Sequence, residues 1–339
     1  MSVSLAPYLE AVPQAVVRRL CDARRILSVS HENPDADTLG AALAVCRITE
    51  ALGATATPVC TDPVPPLYDY LPGIERFRLD PDPEVDYDLL VISDCGSIDR
   101  IGAVRERHKA LFEGLPRVVI DHHASNEAVA SSDWVDPASA ATCEMTALLA
   151  ARLGIALDEG GGALATALMS GIVMDTATFA HPNTTPRTLT VAAALVEAGA
   201  PLSDISRRLY RTKPDAQLRL FGRVLDRLQT VAGGRIVWSN LTDADLEATG
   251  AQPPHSEGII DLLAQAEDAD VAILFKEAGA STRISVRTRP NGVDATILTG
   301  RFGGGGHARA AGATIDGPLD KARAKVLEEA EKLVAELGR

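Results

Sequence analysis

Three separate stretches each present carboxylates or imidazoles: His31-Glu32-Asn33-Pro34-Asp35-Ala36-Asp37, Ser93-Asp94-Cys95 and Asp121-His122-His123. A fourth carboxylate, Asp175, closes an uncharged run from Gly160 to Met174 and has no basic neighbour in sequence. Carboxylates gathered in one place repel unless cations neutralise them. Imidazole nitrogen mixed with carboxylate oxygen suits Mn²⁺, Fe²⁺ or Zn²⁺ better than Ca²⁺. Acidic ligands from several segments point to a pair of ions sharing a carboxylate, ~3.5–4 Å apart. Such a pair lowers the pKa of bound water from ~15.7 to about 7 and serves phosphate chemistry. Each piece alone has a plainer explanation. An aspartate after a strand ordinarily turns the chain or caps a helix, as Asp37 could. Four such pieces in equivalent places exceed what capping accounts for.

Equivalent places means strand ends. RRILSVS, near-continuously apolar from Ile26, reads as a buried strand running into His31; YDLLVIS runs into Asp94 and PRVVI into Asp121. Helical segments follow at ADTLGAALAVCRITEALG, closed by Gly53, at TCEMTALLAARLG, stopped by Gly154, and at ALATALMSGIVM. This alternation predicts an α/β fold with a mainly parallel sheet over residues 1–190, whose carboxyl edge is where ligands bind. Residues 191–230 read as a helical connector with a basic segment carrying Arg207, Arg208, Arg211 and Lys213. Residues 231–339 read as a smaller α/β domain: strands GRIVWSN, DVAILFKE and STRISVRTR, the last two a hairpin, then a long amphipathic final helix.

Composition bounds the partners. A net charge of −13 argues against coating long nucleic acid, while a local basic cleft or bound cations still admit a small anion. Five cysteines, odd in number and never spaced as a CxxC pair, predict reduced core thiols. The N-terminus lacks a signal-like pattern and the Gly160–Met174 run is too short for a bilayer. These features predict a cytoplasmic protein with no membrane partner.

HENPDADTLG, VISDCGSIDRIG, VVIDHH and GIVMDT resemble, in order, the four motifs of the DHH phosphoesterases, and FGGGGHARAAG after RISVRTR resembles their associated C-terminal substrate domain. The compact length is similar to the nano-RNase group. The resemblance implies that His31 and Asp35 bind one ion, that Asp37, His122 and Asp175 bind the other, and that Asp94 bridges them. It implies further that Asp121 orients His122 while His123 faces the scissile phosphate. Two Mn²⁺ ions are the cofactors this suggests, and a homodimer the assembly.

In the second domain, strand alternation puts Arg283, Ser285, Arg287 and Arg289 on one face. Gly303 to Gly306 let backbone N–H groups approach an anion. A solvated edge strand and a flexible loop are the plainer explanations. With the resemblance, Arg283, Ser285, Arg287, Gly304, Gly305, Gly306 and His307 become candidate substrate contacts, together with Arg100. Chemistry on one domain and gripping on the other would select short oligonucleotides such as pApA, possessing few phosphates, over long strands. Long strands need stacking aromatics along a channel, and aromatics are 4% of this chain. The rivals are a cyclic dinucleotide phosphodiesterase, a RecJ-like exonuclease, a manganese inorganic pyrophosphatase and a non-catalytic nucleotide sensor.

Overall fold

A computed structural model describes residues 3–126, 130, 132–290 and 292–337. The chain folds as two compact units, Met1–Thr212 and Lys213–Arg339. The division falls inside the 191–230 stretch.

The first unit holds a five-stranded, all-parallel sheet in the order β2-β1-β3-β4-β5. Its strands are β1 (Arg25–Val29), β2 (Thr55–Val59), β3 (Leu89–Ser93), β4 (Arg117–Asp121) and β5 (Trp134–Val135). Its helices are α1 (Gln14–Asp22), α2 (Ala36–Ala51), α3 (Ala103–Arg107), α4 (Lys109–Gly114), α5 (Thr142–Arg152), α6 (Ala163–Asp175), α7 (Pro186–Glu197) and α8 (Leu202–Ser206). Both faces of the sheet are covered, which is why its strands read as apolar runs rather than alternating ones. Ile26, Leu89, Val91, Val118 and Ile120 pack into the core that includes α2, α5 and α6. Leu27, Val29, Leu90, Ile92 and Val119 join Val104 of α3 and Phe112 of α4 on the other side. With β2 on one side of β1 and β3 on the other, chain direction across the sheet reverses between β1 and β3. That switch point opens a crevice at the carboxyl ends of the two strands.

Two close approaches hold α6 against α2. A Cβ at Gly40 of α2 would stand 2.4 Å from the Ala167 carbonyl oxygen of α6, and one at Gly171 of α6 would stand 2.2 Å from Asp37 Oδ1 of α2. Glycine at both positions is therefore a packing requirement of α2 against α6.

The second unit is a six-stranded mixed sheet, β10-β11-β9-β8-β7-β6, antiparallel except for the β7–β8 pair. It comprises β6 (Gln229–Val231), β7 (Ile236–Leu241), β8 (Val271–Ala278), β9 (Ser281–Thr288), β10 (Gly305–His307) and β11 (Ala310–Asp316). Helices α9 (Asp215–Asp226), α10 (Asp243–Thr249), α11 (Ile259–Leu263), α12 (Ala295–Gly300) and α13 (Leu319–Leu337) complete it. The expected β8–β9 hairpin forms. Ile273, Phe275, Ile284 and Val286 face the core that α12 and α13 help build, while Ala272 and Leu274 face α9 and α11. No single helix among the described residues is long and apolar enough to cross a membrane.

Candidate active site

The strand ends deliver their side chains to the β1/β3 switch point. His31 follows β1 and Asp94 follows β3; both are 2% exposed. His31 Nδ1 lies 2.6 Å from the Glu32 carbonyl oxygen, which fixes that nitrogen as the donor and leaves Nε2 with a lone pair. Nε2 stands 3.6 Å from Asp94 Oδ2 and 3.8 Å from Asp35 Oδ2. Asp35 is the N-cap of α2: its Oδ1 accepts from the N–H groups of Asp37 and Thr38, leaving Oδ2 for the centre. Thr38 ties the two strands together, accepting from the His31 N–H and donating to the Ser93 carbonyl.

Across the crevice, His122 Nε2 stands 3.1 Å from Asp175 Oδ2 and 3.4 Å from Asp94 Oδ1. Asp37 is fully buried, and its two oxygens accept from the Thr142 and Cys143 N–H groups at 2.7 and 2.9 Å. It thus sits at the first turn of α5, where helix N–H groups favour an anion, and does not cap its own helix. Thr142 also donates through Oγ1 to Asp94 Oδ1 at 3.0 Å, orienting that carboxylate. Asp94 holds this position at φ 59°, a backbone region most side chains avoid.

Three groups emerge whose donor atoms lie within 4.8 Å of one another: His31, Asp35 and Asp94; Asp37, His122 and Asp175; Asp94, His122 and His123. Each could hold a metal ion. Asp94 belongs to two of the groups and borders His122 of the other. No lysine or arginine pairs with these carboxylates among the described residues, so their charge is balanced only by the imidazoles. The electrostatics register that crowding. Burial, then the Asp94 and Asp175 carboxylates, push the Asp37 carboxyl well above its usual range. Burial alone would depress His122, but the surrounding Asp175, Asp37 and Asp94 outweigh it and raise the imidazole to about 10. A set of mixed imidazole and carboxylate donors, deeply placed and short of positive charge, fits divalent cations.

One role inferred from sequence changes. Asp121 Oδ1 takes the Nδ1 of His123 at 2.7 Å, and no hydrogen bond links it to His122. Asn126, not singled out by sequence, holds the other oxygen of Asp121 at 2.7 Å. The Asp121 carboxylate raises the His123 pKa above its ordinary value against the opposing effect of burial. Arg100 lies beside the centre, with Nη2 3.3 Å from His31 Nδ1.

The second unit presents its own polar face. Lys276 of β8 stands directly across from Arg283 of β9. With Ser285, Gly304, Gly305 and Gly312 they line a pocket of about 760 Å³. Two cations opposed across a ladder destabilise a sheet unless an anion joins them. Lys276 donates to Ser256 Oγ at 3.0 Å, and burial followed by Arg283 depresses its pKa. Arg283 makes no ion pair among the described residues. Lys276 escaped sequence reasoning because DVAILFKE reads as an apolar strand with a solvated end. Arg287, by contrast, is engaged at 2.9 Å by Asp261 of α11 and is not among the residues lining the pocket. The glycine run also proves partly structural: a Cβ at Gly304 would meet the Gly312 carbonyl oxygen at 2.2 Å, and one at Gly306 the Ala310 oxygen at 2.6 Å. Only Gly305 of that strand opens to free space. His307 is exposed at the end of β10.

Four of the five cysteines are buried thiols, as expected; Cys21 is exposed instead. Cys60 and Cys143 border the centre, with their Sγ atoms 3.3 and 3.4 Å from the backbone oxygens of His31 and Asp37.

Comparison with known proteins gives this geometry its family. The model of the DHH family N-terminal domain matches residues 25–172, and that of the DHHA1 domain matches residues 239–336. The bifunctional oligoribonuclease and PAP phosphatase NrnA of Thermus thermophilus is 33% identical over 92% of this chain and 91% of its own length. The chain is a DHH-family phosphoesterase. The Bacillus subtilis protein of the same description is 27% identical over 67% of this chain and 70% of its own. The fold of this DHH protein matches a crystal structure of an exopolyphosphatase-related protein from Bacteroides fragilis with a TM-score of 0.81, at 22% identity, over 94% of this chain and 96% of that one.

Proposed function

We propose that this phosphoesterase hydrolyses very short oligonucleotides such as pApA to nucleoside 5′-monophosphates and removes the 3′-phosphate of 3′-phosphoadenosine 5′-phosphate. The observation that carries the proposal is the pair of donor groups flanking Asp94, present in a chain that aligns along its length with NrnA proteins named for those two activities. The donor set fits two divalent ions, of which Mn²⁺ suits it best: His31, Asp35 and Asp94 for one, Asp37, His122 and Asp175 for the other, with Asp94 shared. Ions held by these residues would supply an activated water near neutral pH and would neutralise charge developing on a phosphoryl group.

The remaining chemistry belongs to side chains. Thr142 and the β3 turn hold Asp94 between the two groups. The Glu32 carbonyl fixes the His31 tautomer. His123 engages Asp121 through Nδ1, and its Nε2 has no hydrogen-bond partner among the described residues. With the raised imidazole pKa, Nε2–H is the proton source for the leaving oxygen, as the bond from phosphorus to that oxygen breaks and one to water oxygen forms. Arg283, Ser285, Lys276 and His307 are the substrate contacts assigned to the second unit, and Arg100 that of the first. A homodimer, which sedimentation would detect, is part of the same proposal and rests on the family resemblance.

The test is hydrolysis in Mn²⁺ of pApA, 3′-phosphoadenosine 5′-phosphate, a cyclic dinucleotide, pyrophosphate and a long single strand, side by side, with Asp94→Ala as the inactive control. Rapid AMP release from pApA with the long strand and pyrophosphate spared supports the proposal. Preferred cleavage of the long strand, pyrophosphate or the cyclic dinucleotide overturns the substrate assignment, and full turnover by Asp94→Ala overturns the metal assignment.

A further inference from the structure

Tyr210 is the only exposed Tyr, Phe or Trp among the described residues; the others are buried or half-buried. At 38% exposure its ring is presented to solvent, yet it is not loose. The hydroxyl donates to the Met174 carbonyl oxygen at 2.6 Å, and Met174 directly precedes Asp175 of the candidate centre. The residue sits on a π-helical turn, Arg207–Arg211, that continues from α8. Turns of this kind are rare and recur at functional sites. Leu209, on the same turn, is buried and anchors it from beneath.

The chemistry around the ring is specific. Arg208 lies over the Tyr70 ring at 5.3 Å, and Arg211 is exposed with no hydrogen bond or ion pair among the described residues. The Asp175 and Asp35 carboxylates add to the effect of burial in raising the Tyr210 hydroxyl to about 12, so it remains a neutral donor. A ring whose hydroxyl is tethered and whose body stays open, with the unpaired Arg211 guanidinium on the same turn, has the features with which proteins hold a base and its phosphate.

We propose that Tyr210 is a specificity-determining platform on which a nucleobase stacks while the phosphate of the same nucleotide lies at the Asp94–Asp175 centre. This rests on the proposed action on short oligonucleotides, and adds that the enzyme recognises a base beside the reacting phosphate. The platform separates a nucleotide from a bare sugar phosphate without choosing among bases, because every base offers a π face.

The test reads binding rather than turnover. AMP and ribose 5-phosphate, which lacks the base, are titrated calorimetrically in Mn²⁺ into the full-length protein and its Tyr210→Phe, Tyr210→Leu and Tyr210→Trp variants. The expected result is tighter AMP binding by roughly 5- to 150-fold in the unmodified protein, the range one base stack supplies. Tyr210→Phe and Tyr210→Trp keep that gap and Tyr210→Leu erases it with ribose 5-phosphate binding unchanged. A gap that survives Tyr210→Leu, a gap lost in Tyr210→Phe, or equal binding of the two probes by the unmodified protein overturns the proposal. AMP selectivity that depends on the ring, in a protein that fails to cleave pApA, would refute the proposed function and leave the platform standing.

Discussion

Replacing Gly171 with alanine disturbs the candidate centre without removing an ionisable group. The new Cβ would lie 2.2 Å from Asp37 Oδ1, 2.5 Å from Cys143 Sγ and 2.8 Å from Asp37 Cα, where ordinary contact starts at 3.4 Å. The carboxylate must retreat by about 1.2 Å (3.4 − 2.2), and the Asp37 Cα by about 0.6 Å (3.4 − 2.8). Retreat strains the bonds from Thr142 and Cys143, now 2.7 and 2.9 Å. Overpacking costs roughly 1–3 kcal/mol, and weakening one charge-assisted bond adds about 1.5 kcal/mol. A net loss of about 2.5–4.5 kcal/mol lowers Tm by roughly 5–18 °C in a domain of this size. A misplacement near 1 Å lowers turnover by about 100-fold. Mn²⁺-dependent pApA hydrolysis and a circular-dichroism melt read both quantities. Gly222→Ala on α9 is the control: its Cβ would meet nothing within 4 Å, so Tm holds or rises slightly and turnover stays constant. Wild-type turnover in Gly171→Ala would refute the idea that close helix approach places Asp37.

Two further predictions concern the second unit. Lys276→Gln and Arg283→Gln should each raise KM for pApA by about tenfold or more with kcat little changed, because each leaves a phosphate facing one cation fewer. Arg287→Ala, whose guanidinium is already held by Asp261, should raise it less; steady-state kinetics on the three variants would expose the reverse order. Asp245 is buried and, although burial alone would raise its carboxyl, Arg227, Thr242 and Arg223 hold it down at about 2 against an ordinary 3.8. Its contribution to stability is fully present above the ordinary value and is lost as pH falls through about 2. At most about 2 kcal/mol is involved, since both guanidinium partners reach solvent. Asp245→Asn should therefore lower Tm at pH 7 and flatten its fall between pH 5 and 2. An unchanged acid limb would count against the triad.

The strand-end ligands were legible because a doubly covered parallel sheet writes its strands as apolar runs, so a charge after such a run marks the edge of the sheet. That logic found His31, Asp94, Asp121 and His122. It missed β2, whose TATPV is short and contains proline, and the two-residue β5. It missed β10 and β11 because a glycine strand has no side-chain period to detect. Partner choice was also beyond it. Asp121 lies one residue from His122 and two from His123, and only the turn geometry decides which ring it meets. Arg287 looked free because Asp261 is 26 positions away. Gly171 stands one helical turn before Asp175, yet nothing local says that α2 passes within reach of it.

Asp94 carries a cost that the rest of the sheet must absorb. At φ 59° an aspartate is among the less strained side chains, but a glycine would rest there more easily, by about 1 kcal/mol. The backbone and the chemistry thus select in opposite directions at this one position. Asp94→Gly would relax this backbone while leaving the buried Thr142 hydroxyl without its acceptor, so the same substitution that erases the enzyme trades one local cost for another rather than freeing the fold of both.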